Sequence, residues 1–341
     1  MISYLIGIDY STASIEERER AYRLRRRIEA YWRFVNPGGV AVLTTCNRIE
    51  IYGISSSRGE AEAFGILFRQ KFKSCFKNGY VIYGDNGLFA HAIRLACGLK
   101  SRIKGEPQIV EQLEVWLDHK SFPGPLKSIL SRALESGKEV RARSGIDRNK
   151  VDIADLVLND LGMEVASGRR AKVLVMGTGK IASLIAEKQP GSVYIIFAAR
   201  KKLAKAKRLA KLAGGEAILY EEIDRYLDSA DAVVSATSSP HRVLAARNFA
   251  SAIKTRRTPL YIYDLAMPRD VAPDIHKIPF VVMRDVEGLI ERFYRKESGI
   301  TRSLELASKL IGSKIAEYKE STGVKEYTDW HTAQPIGIEA G

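Results

Sequence analysis

Cysteine is scarce in this chain: three residues in 341, too few and too scattered for a disulfide framework. Cys46, Cys75 and Cys97 form no Cys-x-x-Cys pair and are odd in number, which also argues against a zinc site. Long apolar runs are missing, and nothing approaches the ~18 consecutive residues that read as a membrane-crossing helix. Residues 1–9 have no basic stretch ahead of their short apolar run, so they read as a first strand and not as a signal peptide. Acidic residues are in deficit, 40 Asp+Glu against 54 Lys+Arg, for a net charge of +14. These absences set aside a secreted disulfide scaffold and a helical membrane protein. They point to a soluble, cytoplasmic protein with an attraction for polyanions, nucleic acid among them.

What is present falls into successive patterns. Residues 2–8 read as a strand, and Ser14 opens a charged helix whose early Glu16, Glu17 and Glu19 suit the helix dipole. Pro37 and its two following glycines stop that helix. Residues 40–44 and 49–54 read as a hairpin around Cys46 and Asn47, followed by a helix over 59–72 and a strand over 80–83. The order βαββαβ predicts a ferredoxin-like arrangement. Residues 86–144 turn helical. From about Asp152 strands alternate with helices (171–176, 192–198, 231–236, 260–264), which implies a Rossmann-type, doubly wound parallel sheet. A long helical stretch over 286–318, with a bend at Gly299, follows. The overall class is therefore α/β, with a catalytic domain over 1–148, a dinucleotide domain over 149–285 and a helical C-terminal region over 286–341.

Gly177-Thr178-Gly179-Lys180-Ile181-Ala182 fits the dinucleotide fingerprint. Its first glycine permits the turn after the strand, its second lets the backbone approach a pyrophosphate, and Ala182 allows close helix packing. The next strand ends in Arg200-Lys201-Lys202, where an NAD site would place an acid; Arg200 instead suits a 2′-phosphate, so NADPH is expected.

Thr45-Cys46-Asn47-Arg48 sits at a strand end, where a thiol is accessible and Arg48 supplies charge. This segment resembles the signature of the glutamyl-tRNA reductase family. So do His91 to Ser101, Gly105 to Gln112, Arg141 to Ile146, Asp231 to Thr237 with Pro240, and Asp264 to Asp270, in the family's order over about residues 1–300. The resemblance implies NADPH-dependent reduction of glutamyl-tRNA to glutamate-1-semialdehyde, the start of five-carbon tetrapyrrole synthesis. Cys46 would be the nucleophile and His91 the second catalytic residue. Thr45, Asn47, Arg48, Ser101, Glu106, Pro107, Gln108 and Gln112 would line the glutamate pocket, with Arg48 pairing with the substrate carboxylate and Glu50 structural. Gln108 and Gln112 lie one turn apart if helical. Lys100, Arg102, Lys104, Lys138, Arg141, Arg143, Arg148 and Lys150 are candidate phosphate contacts for the tRNA. A downstream semialdehyde aminotransferase is a further implied partner, and the short C-terminal region leaves homodimerisation open.

The chain departs from the family in lacking a His-Lys pair within residues 7–13 and in carrying Lys100 where an Asp is usual. Two other readings stay open: another NADP-dependent oxidoreductase, shikimate-dehydrogenase-like or of the siroheme pathway, which would not need Cys46, and a non-catalytic tRNA-binding or pathway-binding homologue.

Overall fold

The structure is a computed structural model that describes residues 1–37, 39–119, 122–149, 151–165, 169–249, 256–294 and 299–323. The chain forms two compact units, one from residues 1–150 with 299–341 and one from residues 151–298. Among the described residues no helix is long and apolar enough to cross a membrane.

The first unit begins with β1 (Ile2–Asp9), α1 (Ile15–Val35), β2 (Val40–Thr44), β3 (Arg48–Ser55), α2 (Arg58–Lys71) and β4 (Tyr80–Tyr83), the element order expected from the pattern. The strands pair antiparallel in the order β2-β3-β1-β4. Strand alternation sorts the side chains. Tyr4, Ile6, Ile8, Ile49 and Ile51 meet Trp32, Phe68 and Phe76 from the side of α1 and α2. Leu5, Leu43, Tyr52 and Tyr80 face the opposite core, built with α3 (Asp85–Ala96), α4 (Gln108–Leu117) and α5 (Gly124–Ser144). A reciprocal cap starts α1: Ser14 Oγ accepts from the Glu17 N–H at 3.2 Å, and Glu17 Oε2 accepts from the Ser14 N–H at 2.9 Å.

The second unit carries α6 (Ile153–Glu164), β5 (Ala171–Met176), α7 (Lys180–Lys188), β6 (Val193–Ala199), α8 (Leu203–Ala213), β7 (Glu216–Leu219), α9 (Asp224–Leu227), β8 (Ala232–Ser235), β9 (Leu260–Asp264), β10 (Val281–Arg284) and α10 (Val286–Tyr294). Its six strands are all parallel in the order β10-β9-β8-β5-β6-β7, so the sheet reverses its winding between β5 and β8. That reversal opens the crevice where such sheets bind ligands. The short edge strands β7 and β10 were not anticipated.

The expected separate region over 286–341 is corrected. Helix α10 belongs to the second unit, where Arg292 Nε meets Asp160 Oδ1 of α6 at 2.8 Å. The helix Gly299–Thr322 belongs to the first unit instead, because its stripe of Ala307, Ile311, Ile315 and Tyr318 completes the core around α3 and α5. Tyr318 stacks on Phe89 with ring centroids 3.9 Å apart, and the Arg132 guanidinium lies 4.8 Å above the Tyr318 ring.

Candidate active site

The hairpin between β2 and β3 closes when Thr45 N–H donates to Arg48 O at 3.0 Å and Asn47 N–H donates to Thr45 Oγ1 at 3.1 Å. Cys46 is the apex of that turn and is exposed, whereas Cys75 and Cys97 are buried. From α1 the buried Arg18 reaches across, its Nη1 donating to Cys46 O at 3.4 Å and its Nε to Ala13 O at 3.4 Å. Crowding by protein pushes the Cys46 thiol up from its ordinary value. Glu106 pushes the same way, while Arg102 and Arg18 pull it down. Because the residue is exposed, water offsets part of the crowding and the three charges carry more weight.

The second wall is the loop between α3 and α4. Gly105 N–H donates to Gly98 O at 3.2 Å, closing a bend that holds the buried Ser101, and Tyr10 OH donates to Ser101 O at 3.1 Å. Pro107 precedes the first residue of α4, and Gln108 and Gln112 lie one turn apart on that helix. Gln112 is exposed; Gln108 is half-buried, and its Oε1 is buried with no hydrogen-bond partner among the described residues. Arg141 on α5 fixes this loop from beneath, donating to Gly105 O at 2.8 Å, to Ala96 O and Glu106 O at 3.4 Å, and to Asp147 Oδ1 at 2.6 Å.

One expected phosphate contact is thereby corrected, and three others are engaged with neighbours. Arg141 is buried and spent on carbonyls. Lys138 pairs with Glu114 at 2.7 Å and Glu135 at 2.9 Å, and Arg143 pairs with Glu139 at 3.2 Å. Lys104 Nζ donates to Leu99 O at 2.9 Å and to Tyr10 OH at 2.7 Å. Lys150 lies outside the described residues, as does the side chain of Arg148.

Behind the turn lies a buried polar cluster. Glu50 accepts from Arg48 Nη1 at 2.8 Å, Tyr52 OH at 2.6 Å, His91 Nε2 at 2.9 Å and Tyr80 OH. Tyr80 reaches Glu50 over Gly7, which lies between them in the ladder; a Cβ there would sit 2.9 Å from Glu50 Cγ and 3.0 Å from the Tyr80 ring. Arg48 also donates to Lys100 O and lies 3.9 Å from Asp9. The expected bidentate pairing of Arg48 with a substrate carboxylate is corrected: Arg48 is 2% exposed and its fork is taken by Glu50 and a carbonyl. Lys100 lies beside Asp9 and Glu50, and burial lowers its pKa.

Burial alone would raise the Glu50 carboxyl, but the hydrogen bond from His91, the Arg48 charge and the hydrogen bond from Tyr52 hold it well below the usual range. For His91 burial wins over the pull of Glu50 and lowers its pKa. A charged His91 would hold Glu50 more firmly, but it would also bury an Nδ1–H with no partner. We therefore assign a neutral ring donating from Nε2, with Arg48 as the cation of the cluster. His91, expected as the second catalytic residue, is 3% exposed and its Nε2 faces Glu50.

In the second unit Gly177 follows β5 with φ +106°, and a Cβ there would lie 2.7 Å from Ala236 O at the end of β8, so only glycine fits the switch point. A Cβ at Gly179 would meet nothing nearer than 3.9 Å, leaving open space above the start of α7. Ala182 is fully buried, Thr178 and Ile181 are half-buried, and Lys180 is exposed. Arg200 is exposed just after β6. Asp270 fixes the neighbouring loop, accepting from Ser235 Oγ at 2.8 Å, Thr237 N–H at 3.0 Å and Thr237 Oγ1 at 2.7 Å. These residues fit a dinucleotide: a tight turn, an open approach and uncapped N–H groups on α7.

Comparison with known proteins decides the family. Residues 6–144 match the description "Glutamyl-tRNAGlu reductase, N-terminal domain". A glutamyl-tRNA reductase of Methanothrix thermoacetophila is 32% identical, the alignment covering 94% of this chain and 81% of that protein. The chain belongs to the glutamyl-tRNA reductase family. A glutamyl-tRNA reductase of Methanococcoides burtonii is 36% identical over 73% of this chain, which spans only 59% of that protein, and one of Carboxydothermus hydrogenoformans is 29% identical, over 98% of this chain and 75% of its own length. A solved glutamyl-tRNA reductase structure from Methanopyrus kandleri is 27% identical, covering 94% of this chain and 80% of its own, with a TM-score of 0.48. Residues 161–291 match "Shikimate / quinate 5-dehydrogenase", a description confined to the second unit, which is a dinucleotide-binding domain. Arg18, Asp9 and Tyr80 were missed by sequence reasoning. Arg18 is one of many arginines on α1, and Asp9 and Tyr80 join the cluster only through strand register.

Proposed function

We propose that this chain reduces glutamyl-tRNA to glutamate-1-semialdehyde with NADPH, the opening step of five-carbon tetrapyrrole synthesis. The observation that carries the reading is the exposed Cys46 thiol at a turn apex, with Glu106, Arg102 and Arg18 acting on it, inside a unit matched by the family's N-terminal description.

In this reading the Cys46 sulfur attacks the glutamyl carbonyl carbon, the carbon–oxygen bond to the ribose breaks, and the thiol proton ends on the departing ribose hydroxyl. Glu106, whose charge acts on the thiol, would be the group that carries that proton. The thioester that remains on Cys46 is more electrophilic than the starting ester because sulfur donates little into the carbonyl. NADPH, when bound, would supply a hydride to the acyl carbon; the carbon–sulfur bond then breaks, the aldehyde leaves, and the Cys46 thiolate regains a proton from water. Gly177, Thr178, Gly179, Lys180, Ile181 and Ala182 would hold its pyrophosphate, and Arg200 its 2′-phosphate.

Gln108 Oε1, buried and without a partner among the described residues, would be an acceptor for the substrate ammonium. Thr45, Asn47, Ser101, Pro107 and Gln112 complete the pocket, and Arg102 replaces Arg48 as the cation for the side-chain carboxylate. Arg48 and His91 act through Glu50 as positioning residues. Three unpaired cysteines suit a reducing cytoplasm. The aldehyde product is reactive, which favours transfer to a semialdehyde aminotransferase, and a homodimer is a matter for sedimentation.

The test is incubation of the chain with charged glutamyl-tRNA and NADPH. Semialdehyde is expected from the native chain and is lost in Cys46→Ser, and without NADPH a labelled glutamyl adduct accumulates on Cys46. Product formation unaffected by Cys46→Ser refutes the mechanism.

A further inference from the structure

Once the cations near the site are assigned, most prove to be engaged internally. A row of cations with little internal pairing among the described residues lies on the other face of the sheet. On α1, Arg20, Arg23 and Arg27 recur at i, i+3 and i+7, so they share one helical face over about 10 Å. All three are exposed, as is the adjacent Arg26. Arg20 donates only to a carbonyl, Ser74 O at 3.0 Å, and Arg23 meets Glu19 only at 4.0 Å. Among the described residues neither Arg26 nor Arg27 has an acidic partner. Residues 65–79 add Arg69, Lys71, Lys73 and Lys77 with no acid between them, and the three lysines are exposed. The Arg20–Ser74 bond joins this segment to α1.

Two features give the ridge a direction and a chemistry. It begins beside Arg18, whose guanidinium holds the backbone of Cys46, and leads away from that turn along α1. Seven residues beyond Arg27, on the same helical face, stands Phe34, which is 85% exposed. A row of cations that ends in an open aromatic ring matches a nucleic-acid strand, whose phosphates take the charges and whose bases stack.

We propose that the α1 ridge of Arg20, Arg23, Arg27 and Phe34, with Lys71, Lys73 and Lys77 alongside, is the surface along which the acceptor arm of the tRNA leaves Cys46. This rests on the reading of glutamyl-tRNA as substrate. The aminoacyl end occupies the turn, and the preceding nucleotides run down the ridge. An acidic protein partner would need no exposed aromatic at the far end of the row, and RNA uses both features.

The experiment compares R20Q/R23Q/R27Q, K71Q/K73Q/K77Q and F34A with the native chain and with a control of equal charge loss elsewhere on the same unit, K127Q/R302Q/K309Q. Circular dichroism melting first establishes that each variant is folded. The KM for glutamyl-tRNA is expected to rise about tenfold or more in the arginine variant with kcat little changed, and the slope of log affinity against log salt to fall by about 2 to 3. Phe34→Ala raises KM with the salt slope unchanged. The control stays at native KM. Native KM and salt slope in both ridge variants, or an equal loss in the control, overturn the proposal. Fluorescence anisotropy with uncharged tRNA runs beside the assay. A native chain that binds tRNA through the ridge yet makes no semialdehyde defeats the catalytic reading and leaves the ridge standing, and unaltered binding in the ridge variants defeats the ridge alone.

Discussion

Replacing Glu50 by Gln tests whether the buried cluster holds the catalytic turn. Glu50 takes four donors, from Arg48, Tyr52, Tyr80 and His91, at a fully buried position. A glutamine keeps the shape but offers one acceptor oxygen and turns an NH2 toward groups that are themselves donors. Breaking a buried pair from one side costs about 3–5 kcal/mol. Arg48 retains Lys100 O and Asp9 at 3.9 Å, which puts the cost at the lower end, about 3 kcal/mol. For a unit of this size that corresponds to a fall in Tm of about 6–12 °C. Differential scanning calorimetry of the native chain, Glu50→Gln, Arg48→Met and the double variant measures it, with a coupling of at least about 2 kcal/mol expected between the two positions. The pH arm has a definite sign. Glu50 has a depressed pKa in the folded state, so its contribution is complete above the ordinary value of 4.5 and is lost only as pH falls through the lower folded value. Glu50→Gln should lack that acid-side loss. A Tm within about 2 °C of native, or additive losses at the two positions, would show that the cluster is not a unit.

Three further outcomes are expected. His91 is held neutral by burial, so its contribution is present above pH 6.5 and falls as pH drops through its lowered folded value, at up to about 1.4 kcal/mol per pH unit; His91→Gln should melt with a flatter pH profile below pH 6.5. Glu106 raises the Cys46 thiol, so Glu106→Gln should speed iodoacetamide alkylation of Cys46 at pH 8 by about two- to tenfold, and a slower rate would remove Glu106 from the thiol's surroundings. Tyr318→Ala removes the stack on Phe89 and the cation above it, for a loss of about 3 kcal/mol, read as faster hydrogen exchange across residues 299–322.

The parts legible in the sequence were those with local signals. The strands over 40–44, 80–83, 171–176 and 260–264 stand where their apolar runs put them, and the fingerprint at Gly177 lies between strand and helix. The four-residue edge strands β7 and β10 carry too little pattern to declare themselves. In the site, Cys46 at a turn could be read from the hairpin, but the engagement of Arg48 could not. Its partner Asp9 is fixed by strand register, Glu50 is two residues on along the same strand but is shared with three other donors, and Lys100 lies 52 positions away on a loop pinned by Arg141. A charged residue shows its type in a sequence, while its use depends on which carbonyls and carboxylates the fold brings to it.

The helix Gly299–Thr322 closes a core whose other walls are more than 150 residues earlier in the chain. During synthesis, α3 and α5 therefore emerge long before their covering partner. At ~5–20 residues per second, the apolar seam around Phe89 waits on the order of 10–50 s for Tyr318. The nascent first unit is thus a client for chaperones until translation nears residue 320, and a ribosome stalled within the second unit would leave a sticky fragment.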